Sequence, residues 1–166
     1  MNKLKLTIYF LLLIPIMLID PHISELINTF FTSETHISIF LFFIFIFYLS
    51  QQIGYFIAFP LSLILGMIYD YYYFDYLGIM VIAFPVSISF LYIFTKYLEK
   101  NSKIQSTLLF SIYLFLVNFI CFLIVRSLDF TSLSWTFFIT YELLPSLIVN
   151  IFLFVTINTY LNRFIY

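Results

Sequence analysis

Long apolar tracts alternate along the chain with short polar breaks, and the breaks fall at a few places. The tracts cover residues about 4 to 19, 37 to 49, 53 to 69, 77 to 95, 104 to 126 and 136 to 160. A helix needs about 20 apolar residues to cross roughly 30 Å of hydrocarbon. The pattern therefore predicts an all-α, polytopic integral membrane bundle of about six transmembrane helices, forming a single membrane domain over residues 1–166. The second tract, ISIFLFFIFIFYL, falls well short of that length, so Thr35, His36 and the linker Ser50-Gln51-Gln52 are expected to extend it into the interfacial regions. The same linker predicts a tight hairpin between the second and third spans.

Between the first two tracts, DPHISELINTFFTSETH reads either as an irregular loop or as a short helix lying flat on the membrane. In the helical reading, Leu26, Ile27, Phe30 and Phe31 share one face while Glu25, Asn28, Thr29 and Thr32 face water. The N-terminal MNKLKLTIYFLLLIPIML has the basic start and apolar middle of a secretory signal. No small-x-small cleavage site follows it, and it reads as a retained first helix. No internal repeat is evident beyond the tetrapeptides FPLS (59–62) and FPVS (84–87).

Composition reinforces the membrane reading. Hydrophobic residues make up 64% of the chain, charged residues 9%, and mean hydropathy is +1.12; a soluble domain carries roughly a quarter charged residues. Net charge is -1, but its distribution matters more. With six spans, Lys3, Lys5, Lys96, Lys100, Lys103 and Arg163 fall on one side and only Arg126 on the other, which predicts cytoplasmic termini. Five spans would break that sorting. No polybasic run points to nucleic acid. Cys121 is the single cysteine, so neither a disulfide framework nor a thiolate metal site is expected.

Polar and helix-breaking residues inside such spans need partners, and they are the informative ones. Pro60, Pro85 and Pro145 each remove a backbone donor and release the carbonyl four residues earlier, at Phe56, Val81 and Tyr141, which favours kinks and grooves. Gly66 and Asp70 share one helix face, where the glycine permits close approach and the carboxylate lies toward the helix end. The tyrosines from Tyr69 to Tyr76 suit a headgroup layer. Glu142 belongs near the membrane surface, whereas Asn118 and Asn150 lie deep enough to require hydrogen-bond partners. Asp20, His22 and Glu25 only loosely mimic a metal site, Asp70 and Asp75 read as turn residues, and no nucleophile, paired acid or ligand set converges. The expectation is a protein without catalytic residues, cofactor or metal.

Three stretches carry a family resemblance: LIPIMLIDPHIS (13–24), PLSLILGMIYDYYYFDYLGIMVIAFP (60–85) and LLPSLIVNIFLF (143–154). Together they resemble the rod shape-determining protein MreD family over nearly the whole chain. The resemblance implies a non-enzymatic subunit of the bacterial cell-wall elongation machinery in the cell membrane. It would bind the single-span protein MreC in a wider assembly with MreB, RodA and a class B penicillin-binding protein. A second copy of the chain is a further candidate partner. By similarity, Pro15, Asp20, His22, Gly66, Asp70, Gly78, Pro85, Pro145 and Asn150 are the family-pattern residues, with structural or partner-binding roles. Close packing at Gly66 and kinks at the prolines are expected to shape a groove for the MreC transmembrane helix.

The rival reading is a vitamin-binding S-component of an energy-coupling-factor transporter, a small bundle of similar topology. Against it, the first span lacks a small-x-x-x-small pattern, and the only alanines are Ala58 and Ala83.

Overall fold

The tract from Lys103 to Ser127 holds neither proline nor glycine and forms one uninterrupted helix, α5, of 25 residues. At 1.5 Å per residue it is about 38 Å long, enough to cross the hydrocarbon. The computed structural model describes residues 3–30, 35–97 and 103–165 of the chain. The remaining helices are α1 (Lys3–Asn28), α2 (Leu41–Gln52), α3 (Tyr55–Tyr69), α4 (Met80–Tyr97), α6 (Trp135–Phe137) and α7 (Leu144–Ile165). A π-helical turn, Asp70–Phe74, follows α3, and a second, Phe138–Leu143, joins α6 to α7. The described residues contain no strand.

Among the described residues, four stretches are long and apolar enough to cross a membrane: Leu11–Asn28, Tyr55–Phe74, Lys103–Ser127 and Trp135–Thr159. Two shorter apolar helices accompany them, Leu41–Gln52 and Met80–Lys96. The protein is an all-α membrane protein, as its hydrophobic pattern predicts. It divides into two compact units, Met1–Gln52 with Ser134–Tyr166, and Ile53–Leu133.

In the first unit, α1 runs without interruption through Pro15 and Pro21 to Asn28. The helix expected to lie flat on the surface is instead the last two turns of α1. Phe30, beyond its end, is 87% exposed; Phe31, Thr32 and Glu34 lie outside the described residues, as does Lys100. The second apolar tract also differs from expectation, because residues 35–40 are extended and α2 begins only at Leu41. Twelve helical residues span about 18 Å, and six extended ones add about 20 Å. The extended residues thus lengthen a tract whose helix alone is too short to cross hydrocarbon. Ile37, Ile39, Phe42 and Phe43 along it are buried, and Phe47 packs edge-on against Phe154 of α7 at 5.4 Å between ring centres.

In the second unit, α3 and α4 form a hairpin, and α5 packs against α4. Ala58, Ala83, Phe84, Phe110 and Leu114 are buried there. At one end of the hairpin the Tyr92 hydroxyl donates to the Ile53 carbonyl at 2.5 Å. At the other, Tyr71 and Tyr72 are 77% and 60% exposed, in keeping with a headgroup layer.

Candidate functional site

Extended backbone is excluded from hydrocarbon unless its amides find partners in the protein. Here side chains supply them. Toward α1, Ile37 N donates to Asn28 Oδ1 (2.8 Å), Ile39 N to Ser24 Oγ (2.8 Å) and Leu41 N to Asp20 Oδ1 (3.2 Å). Toward α7 and the turn before it, His36 N donates to the Tyr141 carbonyl (3.0 Å), Ser38 N to Ser146 Oγ (2.9 Å) and Phe40 N to Asn150 Oδ1 (2.8 Å). Odd residues turn to one helix and even residues to the other because successive amides of an extended chain point to opposite edges. The side-chain partners on each helix recur every four residues, about 6 Å, and the strand residues every two, about 6.7 Å. The two repeats nearly coincide, so one strand zips onto two helices.

Carbonyls in the segment are also answered. Asn28 Nδ2 donates to Ile37 O at 3.0 Å, and Asn150 Nδ2 donates to Ser38 O and Ser146 O, each at 2.7 Å. Ser24 Oγ donates to Asp20 O at 2.8 Å while accepting from Ile39 N, so its hydroxyl is used in both directions. The zipper ends where α2 begins. Asp20 Oδ2 takes Phe42 N at 2.9 Å, so the carboxylate caps the first turn of α2, where a helix favours an anion.

The second unit repeats this device. Asp70 is fully buried, and its oxygens accept from Met80 N (Oδ1, 2.7 Å), Gly78 N (Oδ2, 2.8 Å) and Val81 N (Oδ2, 3.2 Å), which caps α4 from the end of α3. The turn that allows this passes through Asp75 at φ 49° and Gly78 at φ 131°, the latter a conformation that favours glycine. Gly66 makes the hairpin close. A Cβ there would sit 2.7 Å from the Met80 carbonyl oxygen and 2.9 Å from Val81 Cα, both backbone atoms.

The structure therefore divides the family-pattern residues. Asp20, Asn150 and, through the carbonyl it releases at Tyr141, Pro145 belong to the zipper; Gly66, Asp70 and Gly78 build the α3–α4 hairpin. Pro85 lies within α4, while Pro15 and His22 are exposed on α1. Asn118, expected to bond to another helix, donates instead to Leu114 O of its own helix at 2.8 Å. Asn28, expected to face water, is bonded at both ends of its amide to Ile37. Ser24, Asn28 and Ser146 were not among the residues singled out from sequence. Their signal was the four-residue spacing from Asp20 and Asn150. A repeat was also present after all: Leu11, Leu13, Ile14, Met17 and Asp20 recur fifty positions later as Leu61, Leu63, Ile64, Met67 and Asp70. In so biased a composition only the shared capping role makes that spacing meaningful.

An apolar groove runs along the α3–α4 hairpin. A cleft of about 530 Å³ is lined by Met67, Ile68, Tyr71, Leu77, Gly78 and Val81. A second, of about 340 Å³, continues from Val81 along α4 through Pro85 and Ser89 to Ile93, with Phe59 and Leu63 of α3 opposite. From Val81 to Ile93 the groove follows about 18 Å of helix. Gly66 is buried on α3, and the close approach expected at that residue joins α3 to α4.

A family model described as rod shape-determining protein MreD matches residues 4–164. The chain belongs to the MreD family. It is 29% identical over 163 residues to the cell shape-determining protein MreD of Streptococcus pneumoniae, a match that covers 95% of this chain and 94% of that one. No solved structure matches it. As an MreD family member, the chain belongs with cell shape-determining membrane proteins.

Proposed function

We propose that this MreD family member is a non-enzymatic, multi-pass scaffold of the bacterial cell-wall elongation machinery, and that its α3–α4 groove receives the transmembrane helix of MreC. The observation that carries this reading is the groove. It is apolar and open, and it follows the axis of a helix hairpin, the shape that suits another helix lying lengthwise in lipid. Packing and hydrogen bonds, rather than expulsion from water, hold helices together there. Two further features agree with a scaffold. Transporters built on interrupted helices turn the exposed helix N-termini on anionic substrates; here the N-termini of α2 and α4 are filled by the chain's own Asp20 and Asp70. The distribution of lysine and arginine supports cytoplasmic termini. MreB, RodA and a class B penicillin-binding protein complete the assembly in this reading.

The groove is best tested by filling it. Val86 lines it and is 36% exposed, so Val86→Trp adds bulk to the cleft without touching Gly66 or Asp70. Val86→Trp is expected to insert normally and to lose MreC on copurification from detergent extracts. Full recovery of MreC with this variant would refute the assignment.

A further inference from the structure

The extended segment 35–40 is an exception that its own sequence does not require. In hydrocarbon an apolar chain defaults to a helix, whose amides need no outside partner, and Ile37-Ser38-Ile39-Phe40 runs directly into the apolar helix α2. Were α2 to continue back to residue 36, Leu41 N and Phe42 N would turn to the carbonyls of Ile37 and Ser38, four residues earlier. What opposes this is the set of side chains that α1 and α7 present to the segment.

Some of those side chains hold a second bond in reserve. Ser24 Oγ already donates to Asp20 O (2.8 Å) and Asn150 Nδ2 to Ser146 O (2.7 Å), each within its own helix, and Asn28 is the last residue of α1. Asp20 has no such reserve. Its oxygens accept Leu41 N (3.2 Å) and Phe42 N (2.9 Å), the two amides that a longer α2 would withdraw. The side chain is buried, where an ionised carboxylate without donors is far costlier than a neutral one. No cation stands in for the amides. α2 carries no charged residue, and its one ionisable group, Tyr48, is about 9 Å further along the helix. On α7 the only charged residue is Arg163, in the last turn; His36 and Glu142 belong to the opposite end, and His22 and Glu25 of α1 itself are exposed.

We infer that segment 35–40 and the Asp20 carboxyl form a proton-coupled switch between strand and helix: ionised Asp20 holds the segment extended, and a proton taken up by Asp20 releases it into α2. One proton is bound per conversion and no covalent bond other than that O–H changes. Because the helical form carries one proton more, the ratio of helical to extended chains rises up to tenfold for each unit the pH falls. The movement is large. Five residue steps shorten from about 3.3 to about 1.5 Å each, which draws His36 about 9 Å toward α2 and away from the Tyr141 carbonyl that it now bonds.

The test uses the full chain in phosphatidylethanolamine and phosphatidylglycerol vesicles, in a Cys121→Ser background, with spin labels on His36→Cys and Gln52→Cys, both exposed positions. Their separation, read by double electron–electron resonance, should be about 33 Å at a pH of about 8 and shorten to about 24 Å as the pH falls to about 4, the ordinary carboxylate range. In Asp20→Asn the separation should no longer depend on pH, with circular dichroism checking that this variant is folded. Combining His22→Asn, Glu25→Gln and Glu142→Gln removes the other ionisable groups of that end and should leave the shift intact. A separation that stays long at low pH in the parent, a shift that survives in Asp20→Asn, or one lost in the triple variant overturns the switch. Should Asp20→Asn fail to fold, the parent titration and the triple variant still decide.

Discussion

Replacing Asp70 by asparagine changes one heavy atom and should cost the second unit a large part of its stability. The carboxylate is fully buried and takes three amides, with Gly78 and Val81 on one oxygen and Met80 on the other. A carboxamide has one oxygen. Its best orientation keeps Gly78 and Val81 and turns the NH2 group toward the Met80 N–H, leaving a buried donor facing a donor. An orphaned buried donor costs about 1–3 kcal/mol, and losing an anion at a helix N-terminus adds roughly 0.3–1 kcal/mol, up to about 2 in buried settings. The expected loss is therefore about 2–4 kcal/mol, or roughly a 30- to 1,000-fold change in the unfolding equilibrium. Helicity followed by circular dichroism during titration of detergent-solubilised protein with sodium dodecyl sulfate would measure it. Asp75→Asn is the matched control. Asp75 is exposed at φ 49°, a conformation asparagine tolerates, so its midpoint should stay within about 0.5 kcal/mol of the parent. A midpoint for Asp70→Asn as high as that of Asp75→Asn would refute the capping argument.

At Gly66, alanine would meet backbone of α4 that cannot rotate away, so the hairpin must open; a loss at or above the upper end of about 1–3 kcal/mol is expected in the same titration. Gly54→Ala, which meets nothing within 4 Å, should be close to neutral. Asn150→Leu keeps the volume but strands Phe40 N–H and Ser38 C=O, and about 2–5 kcal/mol should be lost. In a Cys121→Ser background, a Ser38→Cys thiol should resist a membrane-permeant maleimide until Asn150 is changed; equal labelling with and without Asn150→Leu would count against the zipper.

Much of this was legible in the sequence, and the exceptions share a cause. The span read at 104–126 is α5, 103–127, because nothing in it competes with a helix. Asp70, Gly66 and Asn150 stood out because hydrocarbon leaves few reasons to keep such residues. The 37–49 tract gave no hint that its first residues are extended. Isoleucine and phenylalanine suit a strand as well as a buried helix, and the deciding groups, Ser146 and Asn150, lie more than a hundred positions away. Asn28 was placed on the wrong face for a related reason: ending the first span near residue 19 hid the continuity of α1, and with it the spacing Asp20, Ser24, Asn28. A groove was expected from Gly66 and the prolines, but its course along α3 and α4 was not legible. It depends on how closely two backbones approach, which Gly66 permits but does not specify.

One feature of the zipper bears on how the protein is made. Its strand is synthesised early, yet half of its partners belong to the last helix and the turn before it, so Ser38 waits for Ser146 and Phe40 for Asn150 while the whole of 53–133 is added between them. At ribosomal rates of about 5–20 residues per second that delay is roughly 5–20 s. The middle of the chain, being contiguous, can settle first. The two ends of the polypeptide are then fastened to each other in the final step of biogenesis, and a nascent chain truncated before Asn150 leaves the beginning of the molecule as unfinished as its end.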